Sequence, residues 1–330
     1  MLEDFRSALI AATLAATVLA AVAFGQPADP PRPVRNDLPK EGTELLVLRH
    51  QKFHKGGHDA YLRLSREGVW PWFEKIGSRI VGQWMVVHPD GSSADPSFDH
   101  GYRLARYASY EHWKATRQGH LLLGGNGPDY RRNREALSAR NHYVAGSSGA
   151  YFLEGMTATT QVYFMPALEE TYEPAEAAPE GSPRPVRNDR NWPAREIIAL
   201  TKWQVEKGAA DGLLGGSAER IWPYLEKVGA RIVGQWKAVY PPESGFTESS
   251  EHDEVFLMVR YAGYEHWKAA RPDRIVAMGG DGPDYSAFKA GLDALARVSR
   301  SQSVTFLEGY LYQSPPKFLP GLPETYRTAE

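Results

Sequence analysis

The chain has no cysteine, and that absence excludes a disulfide framework, a thiolate metal site and a lipidated cysteine anchor. Net charge is nearly absent as well: 38 Lys and Arg stand against 40 Asp and Glu, a formal charge of −2. No basic cluster breaks that balance locally, so the electrostatic footprint of a nucleic-acid partner is missing. No Gly-x-Ser-x-Gly, His-Glu-x-x-His or paired-carboxylate motif occurs, so no ready-made catalytic set can be read off. The uncharged apolar run from Ala8 to Phe24 is short for a membrane-spanning helix. It ends in Ala21-Val22-Ala23 or Ala23-Phe24-Gly25, both suited to signal peptidase, and Pro27, Pro30, Pro31 and Pro33 follow. Residues 1–25 are therefore expected to be a signal peptide. An uncleaved N-terminal anchor is the alternative, because Glu3 and Asp4 offset Arg6 where a positive start is wanted. Export without disulfides fits the bacterial periplasm or secretion. Membrane contact is expected only through this segment, if it stays uncleaved.

Aromatic residues are plentiful, with nine Trp among the 12% of Phe, Trp and Tyr, so large rigid apolar surfaces are buried somewhere. The dominant feature is an internal repeat. Arg32–Asp37 (RPVRND) returns at Arg184–Asp189, and Trp70–Trp84 returns at Trp222–Trp236 with 11 of 15 positions identical, both at an offset of 152. Arg106–Arg117 returns at Arg260–Arg271, offset 154, with 10 of 12 identical. The GGNGPDY and GGDGPDY elements at Gly124 and Gly279, the FLEG segments at Phe152 and Phe306, and the Pro-x-Leu-x-Glu-Thr-Tyr tails at Pro166 and Pro320 complete the match. The organisation is a Pro-rich linker over 26–43, a first module over 44–172, a second linker over 173–194 and a second module over 195–330.

Each module reads as strand, helix, strand, strand, helix, strand. Strands fall at Glu44–Phe53, Arg79–His88, Gly101–Tyr107 and Tyr151–Thr157, and helices end near Gly77 and cover Tyr110–Arg117 and Pro128–His142. That order is the ferredoxin-like βαββαβ unit. Such a unit leaves one sheet face bare of helices, which a second copy would bury. The expected fold is α+β: two tandem ferredoxin-like modules forming an intramolecular dimeric α/β barrel, a monomer containing a pseudo-dimer. Strict alternation puts Ile80, Gly82, Trp84 and Val86 on one face of the second strand, with Gln83 on the other, and likewise Gln235 in the second copy.

Several residues are candidates for chemistry. Arg106 and Arg260 each end an apolar row (Tyr102 and Leu104; Phe256 and Met258) and suit an anion or carbonyl anchor, or an ion pair with Glu154 or Glu308. His112 and His266 lie in identical Glu-His-Trp-Lys segments and are candidates for a general base or an axial haem ligand, or for a turn-capping ring. His54 and His58 have the four-residue spacing of a metal pair, but Gly56-Gly57 breaks any helix between them, so no metal site is expected. The GGNGPDY element lacks a preceding strand and a following Lys-Ser/Thr, and reads as a turn feeding a helix with Pro128 in its first turn.

The motifs Gly82-x-Trp84, Tyr107 to Tyr110, Arg117 and Gly127-Pro128-Asp129-Tyr130 resemble the NIPSNAP family of the dimeric α/β-barrel superfamily. The second copy matches with Gly234, Trp236, Tyr261, Tyr264, Arg271 and Gly282 to Tyr285. Where the family often has an Arg early in the post-turn helix, this chain has Trp113 and Trp267. The resemblance implies a superfamily that holds cofactor-free monooxygenases, small-molecule isomerases and haem proteins. The expected function is binding of a small apolar or aromatic molecule in the barrel cleft, with Gln83, Arg106, Tyr107, Gln235, Arg260 and Tyr261 as ligand-binding residues. One alternative is a cofactor-independent monooxygenase or isomerase in which His112 or His266 moves protons. The other is haem binding through those histidines; otherwise no cofactor is expected. Arg103 against Leu257, and eight His in the first copy against two in the second, make the first copy the better place for a single working site.

Overall fold

The computed structural model describes residues 45–118, 127–157 and 196–311. The expected export segment, both linkers, the RPVRND repeats, Gly124–Asn126 and the C-terminal tails lie outside them. Among the described residues no helix is long and apolar enough to cross a membrane.

The first module runs β1 (Leu45–His54), α1 (His58–Leu64), a π-helical turn (Ser65–Val69), α2 (Trp70–Lys75), β2 (Arg79–Val87), β3 (Phe98–Tyr107), α3 (Tyr110–Gln118), α4 (Pro128–Asn141) and β4 (Val144–Thr157). The second runs β5 (Ile197–Glu206), α5 (Ala210–Arg220), α6 (Trp222–Lys227), β6 (Arg231–Val239), β7 (His252–Tyr261), α7 (Tyr264–Ala269), α8 (Val276–Gly279), α9 (Pro283–Val298) and β8 (Ser299–Leu311). Pro128 and Pro283 open α4 and α9 behind Gly127 and Gly282, positions where a missing N–H costs nothing.

Within each module the sheet order is 4-1-3-2, as a ferredoxin-like unit requires. The two sheets then join edge to edge, β2 with β8 and β4 with β6, closing one antiparallel barrel of eight strands, β1-β3-β2-β8-β5-β7-β6-β4. The helices of each module cover the outside of its own sheet. Three cores result: one under each helical layer, and one inside the barrel, where Trp84 and Trp236 pack with Leu46, Leu104, Ile198 and Leu307. The lumen is thus filled by side chains.

The alternation expected for the second strand fails at one point. Register against β3 jumps from Ile80↔Ala105 to Gly82↔Leu104, and against β7 from Ile232↔Val259 to Gly234↔Met258. The extra residue of each bulge, Val81 or Val233, enters the barrel core, while Ile80 and Ile232 stay under the helices. Ile80 therefore does not share a face with Trp84 and Val86, which face the lumen. A bulge adds one residue to a period of two, and apolar residues on both sides leave no trace of it in the hydropathy pattern.

The junction between modules explains the FLEG repeat. Gly155 (φ 153°) lies opposite Trp236, and Gly309 (φ 154°) opposite Trp84. A Cβ on Gly155 would sit 2.5 Å from the Gln235 carbonyl oxygen, and one on Gly309 2.5 Å from that of Gln83. Backbone cannot yield as a side-chain tip can, and the positive φ adds strain to any L-residue. Gly155→Ala and Gly309→Ala are each expected to lower unfolding stability by roughly 1–3 kcal/mol. Gly212→Ala, on α5 with open space around it, should instead gain about 0.5–1 kcal/mol. Urea unfolding of the three variants checks the contrast.

Candidate functional site

The structure divides the sequence-derived ligand residues between two faces. Gln83 and Tyr107 stand on the outer side of the sheet, under the helices, and so do Gln235 and Tyr261; the Trp222 indole donates to Gln235 Oε1 at 3.2 Å. Arg106 and Arg260 stand on the lumen side, beside Leu46 and Ile198, and are fully buried. Arg260 makes a two-pronged ion pair with Glu196, the residue leading into β5. This corrects the partner expected for it: alternation from Leu307 in the lumen puts Glu308 on the outer face. Neither arginine is brought to the glutamines.

His112 and His266 are fully buried and identically bound. Nδ1 accepts the backbone N–H of Ala108 or Ala262, both at 3.1 Å, and Nε2 is within hydrogen-bond distance of the carbonyl of Ile76 (2.7 Å) or Val228 (2.8 Å). With Nδ1 accepting, Nε2 carries the proton and donates, which assigns one neutral tautomer. Nδ1 ties the helix start to the turn before it and Nε2 ties it to the end of α2 or α6, so neither nitrogen is offered to a substrate or an iron. Of the first copy's other histidines, His50 lies 3.0 Å from His100, whose second nitrogen reaches Asp95 at 3.0 Å. His54 is exposed, whereas His58 is buried under the helical layer with Nε2 unpartnered.

The two helical layers differ in kind. In the second module Thr201, Trp203, Leu213, Leu257, Phe288 and Leu295 pack into or against an apolar core. The equivalent positions of the first module hold Arg49, Gln51, Tyr61, Arg103, Asn133 and Arg140. Arg103 and Arg140 are each only 7% exposed. Gln51 Nε2 donates to the Tyr61 hydroxyl at 2.8 Å. Arg140 donates to Ser65 Oγ at 3.0 Å, and its guanidinium lies 4.9 Å over the Tyr61 ring. Arg117 donates to the Tyr107 hydroxyl at 3.3 Å. Ser65 opens the π-helical turn, a distortion that concentrates at functional sites; α5 continues regularly through the same region. Both amide atoms of Gln83, Oε1 of Gln51, both amide atoms of Asn133 and Nε of Arg49, Arg103 and Arg140 are buried without a hydrogen-bond partner.

The electrostatics follow from that composition. Burial, then Arg103 and Arg117, pull the Arg49 pKa down to about 10. Arg140 is likewise lowered by burial and by the same two arginines. Burial alone would raise Tyr107, but Arg117 and Arg103 take it below its ordinary value. Tyr61 is lowered despite its burial, by Arg140, Arg103 and its hydrogen bonds. Tyr261, the counterpart of Tyr107, is raised by burial with no cation to oppose it. An uncompensated charge in such a place costs several kcal/mol, so the first module bears a penalty that the second avoids. Sequence reasoning singled out Arg103 but missed Arg49, Gln51, Tyr61 and Arg140. The signal was a position-by-position comparison of the two copies at helix-facing sites.

No protein-family model matches the chain, and no curated protein matches it. Solved structures do. A candidate monooxygenase from Lactobacillus acidophilus NCFM is 12% identical with a TM-score of 0.46, over 81% of this chain and 94% of that one. An anthrone oxidase-like protein is 13% identical with a TM-score of 0.40, over 87% of this chain and 99% of its own. An uncharacterised NIPSNAP domain protein from Burkholderia xenovorans is 17% identical with a TM-score of 0.25, over 39% of this chain and 99% of its own. The solved structures similar to this chain thus include NIPSNAP proteins and monooxygenase-like proteins.

Proposed function

We propose that the protein binds a small organic molecule between the sheet and the helices of its first module, and that the second module is the structural half that completes the barrel. One observation carries this reading: buried, unsatisfied hydrogen-bonding groups stand in the first module where the second has a packed apolar core. Buried polar groups without partners are costly, and a cluster of them in one of two related layers marks a place where a ligand supplies the partners. The lumen is already filled by Trp84, Trp236 and their neighbours, which favours the sheet–helix cleft over the barrel interior. Native mass spectrometry of the full chain is expected to find one co-purified small molecule per chain, released on unfolding. Adding that molecule back at about 100 times its Kd should stabilise the emptied protein by about 2.7 kcal/mol. A chain that is empty as isolated, and whose melting no added small molecule shifts, would sink the reading.

A second reading, a cofactor-independent oxygenase or isomerase, is favoured by Tyr107 alone. Its hydroxyl has a lowered pKa and an arginine at 3.3 Å, the setting of a proton-transfer group. On this reading Tyr107→Phe removes turnover and keeps the fold. His112→Ala instead leaves the Ala108 N–H and Ile76 carbonyl unpartnered and costs about 2 kcal/mol or more of stability. Tyrosine ionisation followed at 295 nm should show a phase whose midpoint lies below that of an ordinary tyrosine. Tyr61→Phe and Tyr107→Phe should each diminish that early phase, and Tyr261→Phe should leave it unchanged.

A further inference from the structure

The guanidinium groups of the first module define the chemistry of its ligand, on the reading that this cleft holds one. Arg49 and Arg103 face each other across β1 and β3, and Gln83 faces Arg103 across β2, so the three form one row on the cleft side of the sheet. Arg140 comes from α4 on the opposite wall, held at Ser65 and over the Tyr61 ring. Arg117 comes from α3, held at Tyr107 and 5.3 Å over the Trp113 ring. Among the described residues no carboxylate lies within 4.0 Å of any of these four guanidinium groups. The charges acting on Arg49 and Arg140 come from other arginines and from tyrosines, with no Asp or Glu among them. Like charges directly opposite on a sheet repel, and the second module removes both members of the pair with Thr201 and Leu257.

We propose that this cleft is a site for a small hydroxy acid, with Arg49, Arg103 and Arg140 on the carboxylate and Gln83 and Gln51 on the hydroxyl. The planar fork of a guanidinium matches a carboxylate with two parallel hydrogen bonds, and buried guanidinium groups from the sheet and from α4 without a carboxylate partner make an organic anion the fitting guest. The unpartnered amide oxygens of Gln51 and Gln83 are acceptors. A hydroxyl supplies what a bare carboxylate lacks, a proton for the Gln51 oxygen, and its own oxygen accepts from the unpartnered Gln83 Nε2. The three arginines and the two amides therefore ask for different groups on one molecule.

The test uses the full chain. 4-Hydroxybenzoate, salicylate and mandelate are titrated by calorimetry and thermal melting, beside the amide of each acid, benzoate and inorganic phosphate. At least one hydroxy acid is expected to bind one per chain, at least tenfold tighter than its own amide and tighter than benzoate. Arg103→Leu and Arg49→Thr install the second module's residues. Each should weaken acid binding at least tenfold while the ligand-free variant melts higher than the ligand-free parent. Three outcomes overturn the proposal and leave the small-molecule reading standing: amides that bind as tightly as acids, phosphate that binds where no acid does, or folded variants that bind acids like the parent. If no acid, amide or phosphate binds and the isolated protein carries no small molecule, both readings fall together.

Discussion

Edge pairing between the modules is the constraint on which everything else rests. A four-stranded ferredoxin-like sheet has one face covered by its helices, one bare apolar face and two open edges. Joining β2 to β8 and β6 to β4 removes all four edges of the two sheets at once and turns both bare faces into one lumen. The indoles of Trp84 and Trp236 fill that lumen. Gly155 and Gly309 let the backbone carrying each indole come within reach of the neighbouring module's last strand. The presence of one such Trp and one such Gly in each copy reflects the two-fold character of that closure.

Closure by two copies on one chain also permits inequality between them. In a true homodimer each helical layer must be the same, so a polar cleft in one is a polar cleft in both. Here the layer over the second sheet is a continuous apolar core, while the layer over the first carries four arginines and several unsatisfied amides. The shared barrel lets one well-packed half offset the instability of the other. A small rearrangement accompanies the divergence: Gly68 lies against Ala136 in the first module, whereas in the second Gly291 lies against Arg220 and Ile221. The small residue needed at this helix contact has moved to the other helix, so the packing survived as the cleft chemistry changed.

Much of this was legible in the linear chain because it depends on local period and on repetition. Element order and the pairing of two bare sheet faces follow from alternation, turn residues and the duplicated segments. The site was less legible. Gln83 and Arg106 look like neighbours on adjacent strands, yet a bulge at Val81 and the alternation of β3 put them on opposite sides of the barrel wall. His112 and His266 look reactive in sequence, and their retention in both copies instead reflects two backbone hydrogen bonds that no sequence pattern displays. Tyr61, Gln51 and Arg140 read as ordinary amphipathic residues, because each comes from a different element and acquires its meaning only where those elements converge.

By itself the sequence determined that two related α+β units occupy one chain, that no thiol chemistry is available, and that the copies differ at Arg103 and Leu257. Tertiary structure decided which face each polar residue shares, and with it the difference between a lumen packed with tryptophan and a helical layer that buries arginines beside one another. The physical reason is range. Alternation and turn chemistry act over a few residues and are written locally, whereas burial, like-charge proximity and the loss of a hydrogen-bond partner are properties of a place assembled from β1, β2, β3, α1, α3 and α4 together.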